Sequence, residues 1–281
     1  VTHYFNGNFD VSGVGCVYWY KLFLLVMTGA TAYACFRMVR TLTGDYTSVG
    51  SLLPKESLPS VKSREKGLLG ALLVFASPEV LLSVGYSGQD EIVYLAFMMY
   101  ALEAALCGRE RRFLFFSFLS VMCCPIMLVP FLAILLCREK RLLHILWKTA
   151  LMLLPGLFWG AYSAGLEGKE YARSGMEMID KMFGLYAFPL TTGLTSVAAL
   201  LLSLLCFYCY FHVRLGEKEE TALFQRRILW CATLSVVIVS FFMENFFYRL
   251  LLYVPFAVVL LLSAEEEYLN FLLGTLQFYY R

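Results

Sequence analysis

The feature that most constrains the fold of this chain is a series of long apolar runs with almost no charged residues inside them. Leu, Phe and Ala dominate the runs, and 60% of the 281 residues are hydrophobic whereas only 16% are charged. An α-helix of about 17 to 25 apolar residues crosses the hydrocarbon core of a bilayer. The runs lack the apolar-polar alternation of membrane strands. The sequence therefore predicts an all-α fold, a polytopic transmembrane helical bundle.

About seven spans can be placed along the chain, and together they form a single transmembrane domain over residues 1–281. The predicted spans cover residues 16–36, 67–84, 92–106, 142–164, 182–213, 228–243 and 250–264. Residues 165–183 place apolar and charged side chains on different helical sides, which is typical of a loop helix at the membrane interface. The chain begins at Val1 rather than Met, and we expect it to be an N-terminally incomplete fragment.

Residues 113–137 are long enough for a further span, but they contain Pro125 and lie between two basic clusters, 109–112 and 138–141. A single crossing would put one basic cluster on each side of the membrane. Lys and Arg concentrate in cytoplasmic loops, so both clusters belong on the same side. We therefore expect a re-entrant pair of half-helices bent at Pro125. This choice places the turns 85–91 and 244–249 and the loop 165–183 on the outside.

Charge and cysteine usage limit the partners and cofactors. The net charge is only +2, and the basic residues cluster between apolar runs, so membrane lipid is an expected partner and nucleic acid is not. The nine cysteines lie mostly inside apolar runs, and their spacing indicates neither a zinc site nor a disulfide framework. We therefore predict no metal ligands from the sequence.

Ionisable residues near the outer membrane edge are the candidate site. Gln89, Asp90 and Glu91 end the short turn between two spans, where they either contact a substrate or form a plain solvated hairpin. Glu79 falls in the outer half of a span, where an ionised carboxylate costs about 2.5 to 3.5 kcal/mol unless it faces protein or water. We expect Glu79 to point into the bundle, as a catalytic group or as a structural partner of Arg249.

Two cations at the same edge fit a phosphate group. Arg249 precedes the last span, and its guanidinium suits bidentate phosphate binding, although snorkelling to the interface is the alternative. Lys21 follows three aromatic residues and is either an interfacial anchor or a second phosphate contact.

One segment resembles the Pro-to-Gly-Gln-x-Asp stretch of the C-fold (GT-C) membrane glycosyltransferases: residues 77–92, SPEVLLSVGYSGQDEI. The likeness continues in the proline-broken pair between basic clusters and in residues 248–256, YRLLLYVPF, and covers roughly residues 16–264. In the family the acid stands two positions after Gln, which is Glu91 here, and Asp90 is an additional acid. The family's general base follows a first span that this chain does not contain.

The resemblance implies transfer of a sugar from a polyprenyl-phosphate donor to a glycan, lipid or protein acceptor at the extracytoplasmic face of a bacterial plasma membrane. It implies catalytic roles for Glu91 and Asp90 and substrate contacts for Gln89 and Glu79. Arg249 and Lys21 would bind the donor phosphate. A divalent metal is compatible with such a site but is not required by it.

Two other interpretations stay open. Broken helices and embedded acids also occur in transporters, so a transporter or flippase of lipid-linked glycans is the alternative. The missing first span and its base also fit a catalytically silent membrane partner.

Overall fold

The computed structural model describes residues 14–43, 61–86, 90–164, 197–213, 221–241 and 250–263. Over these residues the regular elements are all helical, which confirms the predicted all-α class. The helices are α1 Val14–Thr43, α2 Val61–Phe75, α3 Pro78–Val80, α4 Glu91–Leu106, α5 Glu110–Cys123, α6 Leu128–Arg138, α7 Leu142–Ala164, α8 Val197–Phe211, α9 Thr221–Phe241 and α10 Leu250–Ser263.

Three stretches of the described chain are long and apolar enough to cross a membrane: Val17–Thr43, Ser63–Gly85 and Leu223–Phe241. Shorter apolar helices occupy Pro125–Arg138, Leu142–Leu154, Val197–Phe211 and Leu251–Ser263. These features support a membrane protein, and the number of about seven spans stays a prediction. The interfacial loop predicted over 165–183 and the first part of the predicted span 182–213 lie outside the described residues.

The second predicted span is interrupted by a proline. After α2 ends at Phe75, Ser77 adopts a non-helical conformation (φ −65°, ψ 137°), as a residue before proline prefers. The Ser77 hydroxyl accepts a hydrogen bond from the backbone N–H of Val80 at 3.2 Å and so caps α3. The chain then continues as a π-helical segment, Leu81–Tyr86. The interruption thus leaves a wider helical turn at the end of the span, next to the candidate site.

Helices α5 and α6 form a hairpin that bends at Pro125. Cys124 is extended (φ −147°, ψ 102°), and a 3₁₀ turn, Pro125–Met127, leads into α6. The Arg138 guanidinium at the end of α6 lies 5.7 Å from the ring centre of Phe113 at the start of α5. The predicted bend at Pro125 is therefore confirmed, and the two helices return to the same end of the bundle.

Helix α4 is the centre of the core. Its last six residues, 101–106, are all buried, and it packs against α1, α5 and α10. Ile92, Leu95, Met99 and Leu102 along α4 have no exposed surface. A helix that is apolar on every side needs neighbours all round, which explains its central position. A separate contact group joins α6, α8 and α9.

The described helices define two ends of the bundle. The Lys21 end holds Lys21, Gly85, Asp90 and Glu91, where α1 and α4 begin and the π-helical segment finishes. The opposite, basic end holds the Arg37 side chain and the loops 107–109 and 139–141. The basic clusters 109–112 and 138–141 thus meet at one end, as the hairpin prediction requires.

Candidate functional site

The candidate site begins with a contact between Lys21 and the backbone of Gly85. The Lys21 ammonium donates a hydrogen bond to the Gly85 carbonyl oxygen at 3.1 Å. Lys21 lies about two turns into α1, and Gly85 lies in the π-helical segment that follows α3. An ammonium group carries three N–H donors, and this bond uses one of them. The contact brings one predicted phosphate ligand to the motif segment.

The two adjacent acids lie at the same end. Asp90 is exposed and precedes α4, whereas Glu91 is half-buried in the first turn of that helix, with its Oε2 atom buried. Tyr20 lies close enough to both carboxylates to interact with their charges. A carboxylate in the first turn of a helix also interacts favourably with the helix dipole. The two acids therefore lie near Tyr20, the residue that precedes Lys21 in α1.

The tip of the α5–α6 hairpin borders this neighbourhood. The Cys123 thiol at the end of α5 interacts electrostatically with Asp90. The Ser120 hydroxyl, one turn earlier, donates a 2.9 Å hydrogen bond to the backbone carbonyl of Tyr94 in α4. The hairpin thus reaches the level of the acids and forms a wall beside them.

An open groove of about 350 Å³ lies between the first part of α1 and the segment from Phe75 to Gly85. Its lining is almost entirely apolar and, among the described residues, contains one charged side chain, that of Lys21: Tyr18, Lys21, Leu22, Leu25, Thr28, Phe75, Val80, Leu81, Val84 and Gly85. Several of these side chains are exposed, including Tyr18, Leu22, Leu25 and Leu81. The arrangement suits a molecule with a long apolar chain and an anionic head.

The remaining predicted site residues have different outcomes. The expectation that Glu79 points into the bundle is wrong, because its side chain is exposed. The proline at position 78 starts a new helix there, so the direction of Glu79 does not follow from the register of α2. Gln89 and Arg249 lie outside the described residues, and their contributions stay predictions.

A buried ion pair at the basic end was not predicted from the sequence. Arg37 of α1 pairs with Glu103 of α4 at 2.6 Å, and Glu103 is only 3% exposed. The Cys107 thiol also donates to Glu103 Oε1 at 3.6 Å. A signal was present, since Glu103 is a lone acid inside an apolar run and needs a partner. The pair lies away from the groove, and its position indicates a structural role.

A second charged network links the two ends of the α5–α6 hairpin. The Lys148 ammonium contacts Glu110 at 2.5 Å and Glu139 at 3.2 Å, so one cation joins the start of α5 to the end of α6. Burial raises the pKa of Glu139, but hydrogen bonds from the Arg141 backbone N–H, Lys148 and His144 outweigh it and lower that pKa to about 2. Glu139 is therefore held as a carboxylate and stabilises the loop between α6 and α7.

Three buried cysteines also meet near the basic end. The Sγ atoms of Cys137, Cys209 and Cys231 all lie within 4.8 Å of one another. The three residues belong to α6, α8 and α9, so they are far apart in sequence and no motif spacing connects them. Spacing alone gave no indication of this cluster, because only the packing of three helices creates it.

Comparisons of the chain with protein-family models, curated proteins and solved structures found no match.

Proposed function

We propose that the chain is a membrane glycosyltransferase that takes a sugar from a polyprenyl-phosphate donor, with its site at the Lys21 end. The observation that carries this proposal is the groove of about 350 Å³, which has an almost entirely apolar lining that includes Lys21. A polyprenyl phosphate has the matching parts, a long apolar chain and a phosphate head.

The groove binds the donor lipid in this proposal. Its volume of about 350 Å³ falls within the range of roughly 300–1,000 Å³ that is usual for ligand pockets, so it holds the first part of a prenyl chain. The exposed Leu22, Leu25 and Leu81 leave it open sideways, and a lipid enters it directly from the bilayer. Lys21 binds the phosphate through the N–H donors that Gly85 does not take.

The acids at the start of α4 act on the acceptor. Sugar transfer needs a base for the proton of the acceptor hydroxyl and cations for the charge that develops on the leaving phosphate. Glu91 is the better base, because its side chain is half-buried. The acceptor reaches it from the side of Asp90, which is exposed. Gln89 and Glu79 contact the sugar, and Arg249 is a second phosphate ligand. The acceptor is an envelope glycan, lipid or protein.

The proposed topology has about seven spans plus the α5–α6 hairpin as a re-entrant pair in a bacterial plasma membrane. The α5 helix has 14 residues and the α6 helix 11, which gives lengths of about 21 and 17 Å and is too short for a crossing by either. The basic clusters 109–112 and 138–141 face the cytoplasm, and the Lys21 end faces outward. Donor and acceptor therefore meet at the extracytoplasmic face.

The test is transfer of labelled sugar from a panel of polyprenyl-phosphate sugars in membranes that contain the chain. We expect Glu91→Gln and Lys21→Met each to lower transfer by about 100-fold or more, the scale of a lost base or of lost charge stabilisation. Lys21→Arg keeps the charge and retains part of the activity. The matched controls are Glu65→Gln and Lys66→Met near the start of α2, and both keep full transfer.

Undiminished transfer by the Glu91 and Lys21 variants would overturn the assignment of the site. The alternative function is transport of a lipid-linked glycan, which the proline interruption before α3 favours because broken helices line substrate paths. Movement of a fluorescent polyprenyl-phosphate sugar between leaflets, without transfer to any acceptor, would favour that alternative. A chain that does neither, while it remains folded, is a silent partner.

A further inference from the structure

We propose that Cys137, Cys209 and Cys231 bind one soft, thiolate-seeking metal ion of the Cu(I) class. This proposal is independent of the glycosyltransferase proposal, since the cysteines lie near the basic end and the groove lies at the Lys21 end. It arises from the three-helix contact of α6, α8 and α9, in which each helix supplies one cysteine.

The geometry needs only a small adjustment to bind an ion. All three Sγ atoms lie within 4.8 Å of one another. A metal ion with three bonds of about 2.3 Å to sulfur in a plane holds neighbouring thiolates about 4.0 Å apart, so each sulfur has to move by less than about 1 Å. Rotation about χ1 and small helix shifts supply that movement. The donors are preorganised, because the three residues are buried with exposed fractions of 1%, 0% and 2%.

The donor type favours a soft monovalent ion. The group contains three sulfurs and, over the described residues, neither a histidine nor a carboxylate. Oxygen-seeking ions such as Mg²⁺ and Ca²⁺ do not select such a site, whereas Cu(I) prefers thiolates. Structural zinc takes four protein ligands, and this group supplies three. Three sulfurs at the corners of a triangle match the trigonal coordination of Cu(I).

Two neighbouring cations balance the charge. Three thiolates with one Cu(I) carry a net charge of −2. The Lys140 ammonium donates to the Cys209 carbonyl oxygen at 2.9 Å, and Lys140 and Arg227 both interact electrostatically with Cys231. A buried charged group is tolerated when opposite charges lie close to it. Each thiol releases its proton to solvent as the metal binds, and no electron is transferred.

The position of the cysteine cluster gives a metal ion access from the basic end. Cys137 is followed by Arg138, the last residue of α6, and Cys209 lies two residues before the end of α8. Cys137 and Cys209 therefore lie within one turn of the ends of their helices, whereas Cys231 lies midway along α9. An ion that enters at the basic end reaches the first two thiols before the third.

The experiment is an anaerobic competition for Cu(I) between the purified full chain in detergent and a chromophoric Cu(I) chelator. We expect one Cu(I) for each chain. Replacing any one of the three cysteines by Ser or Ala removes a ligand, and the affinity falls by more than about 100-fold, beyond the cost of losing an outer-shell partner. The controls are Cys35→Ser and Cys107→Ser, two cysteines outside the cluster, which keep the affinity.

A second measurement tests the metal site even if the cysteine variants fail to fold, because it uses the unaltered chain. X-ray absorption at the copper edge of the unaltered chain is expected to show three sulfur neighbours in one shell. Cu(I) is also expected to raise the unfolding temperature of the unaltered chain and of both control variants. Nitrogen or oxygen neighbours, or equal Cu(I) retention by the cluster variants, would show that the three cysteines are ordinary core packing.

Discussion

The two ends of the bundle use their charged side chains in different ways. At the basic end, Arg37 pairs with the buried Glu103, and Lys148 joins Glu110 to Glu139. At the Lys21 end, the Lys21 ammonium takes a backbone carbonyl as its partner, and Asp90 is exposed. Paired charges hold helices together, whereas a cation that lines a groove and, within the described chain, bonds only a backbone carbonyl remains able to bind an anion. The paired charges of the basic end stabilise the bundle, and the proposed sugar transfer takes place at the Lys21 end.

The largest expected effect is at the Arg37–Glu103 pair. Glu103→Leu leaves Arg37 without its partner in a partly buried position, and we expect a loss of about 3 kcal/mol in the free energy of unfolding. Thermal and denaturant unfolding in detergent measure it. The double variant Arg37→Met with Glu103→Leu is expected to recover most of the loss. Equal stability of the single and double variants would contradict a structural pairing.

The next effect is pH-dependent and concerns Glu139. Its folded pKa is about 2, below the usual 4.5, so its stabilisation is complete above pH 4.5 and is lost as the pH falls through about 2. Glu139→Gln is expected to lower stability by about 1–3 kcal/mol at pH 7, and the difference narrows between pH 4.5 and pH 2. Glu65→Gln on α2 serves as the control. A difference independent of pH would mean that the carboxylate charge does not stabilise the loop.

A smaller effect is expected at the wall of the candidate site. Ser120→Ala removes the 2.9 Å hydrogen bond to the Tyr94 carbonyl and is expected to cost about 1 kcal/mol. Ser117→Ala is the matched control, since within the described chain the Ser117 hydroxyl is buried without a hydrogen-bond partner. Its removal is expected to be neutral or stabilising. Denaturant unfolding measures both variants. Equal losses in their free energy of unfolding would show that the hydrogen bond is not the cause of the loss in Ser120→Ala.

The smallest effect on stability is expected at Lys21, at the end of the bundle opposite the ion pairs. Lys21 is exposed, and Lys21→Met is expected to change the free energy of unfolding by less than about 0.5 kcal/mol. The same variant is expected to lose sugar transfer, because in the proposed function the Lys21 cation binds the donor phosphate. Unfolding and transfer are measured on one preparation. A large stability loss would instead make Lys21 a structural clamp on the Gly85 segment.

The sequence predicted the positions of some helices well, because helix formation depends on residues that are close together in the chain. The predicted span 142–164 coincides with α7, and 92–106 differs from α4 by one residue at its start. The bend at Pro125 was also predicted, since proline restricts its own backbone and that of the residue before it. By contrast, α1 runs on to Thr43, beyond the predicted end at residue 36, and its last turn contacts α2, where the Thr43 and Ser63 hydroxyls lie 3.2 Å apart.

The candidate site was predicted in part. Lys21 and the motif segment were selected separately from the sequence, and the structure joins them through the Gly85 carbonyl. The direction of Glu79 was predicted wrongly, because the helix restarts at Pro78 and its rotation depends on the neighbouring helices. The groove itself was not predictable in detail, since its lining comes from two separate helical segments.

The sequence by itself determined that this chain is helical, that it bends at Pro125 and that its basic clusters belong together. These properties follow from apolarity, proline geometry and charge placement, which act over a few residues at a time. Only the tertiary structure decided which side chains meet: Arg37 with Glu103, Lys148 with two acids, and the cysteines of α6, α8 and α9. Those contacts depend on how each helix is rotated and how deeply it lies against its neighbours. Many residues that are far apart in the chain determine this rotation and depth jointly.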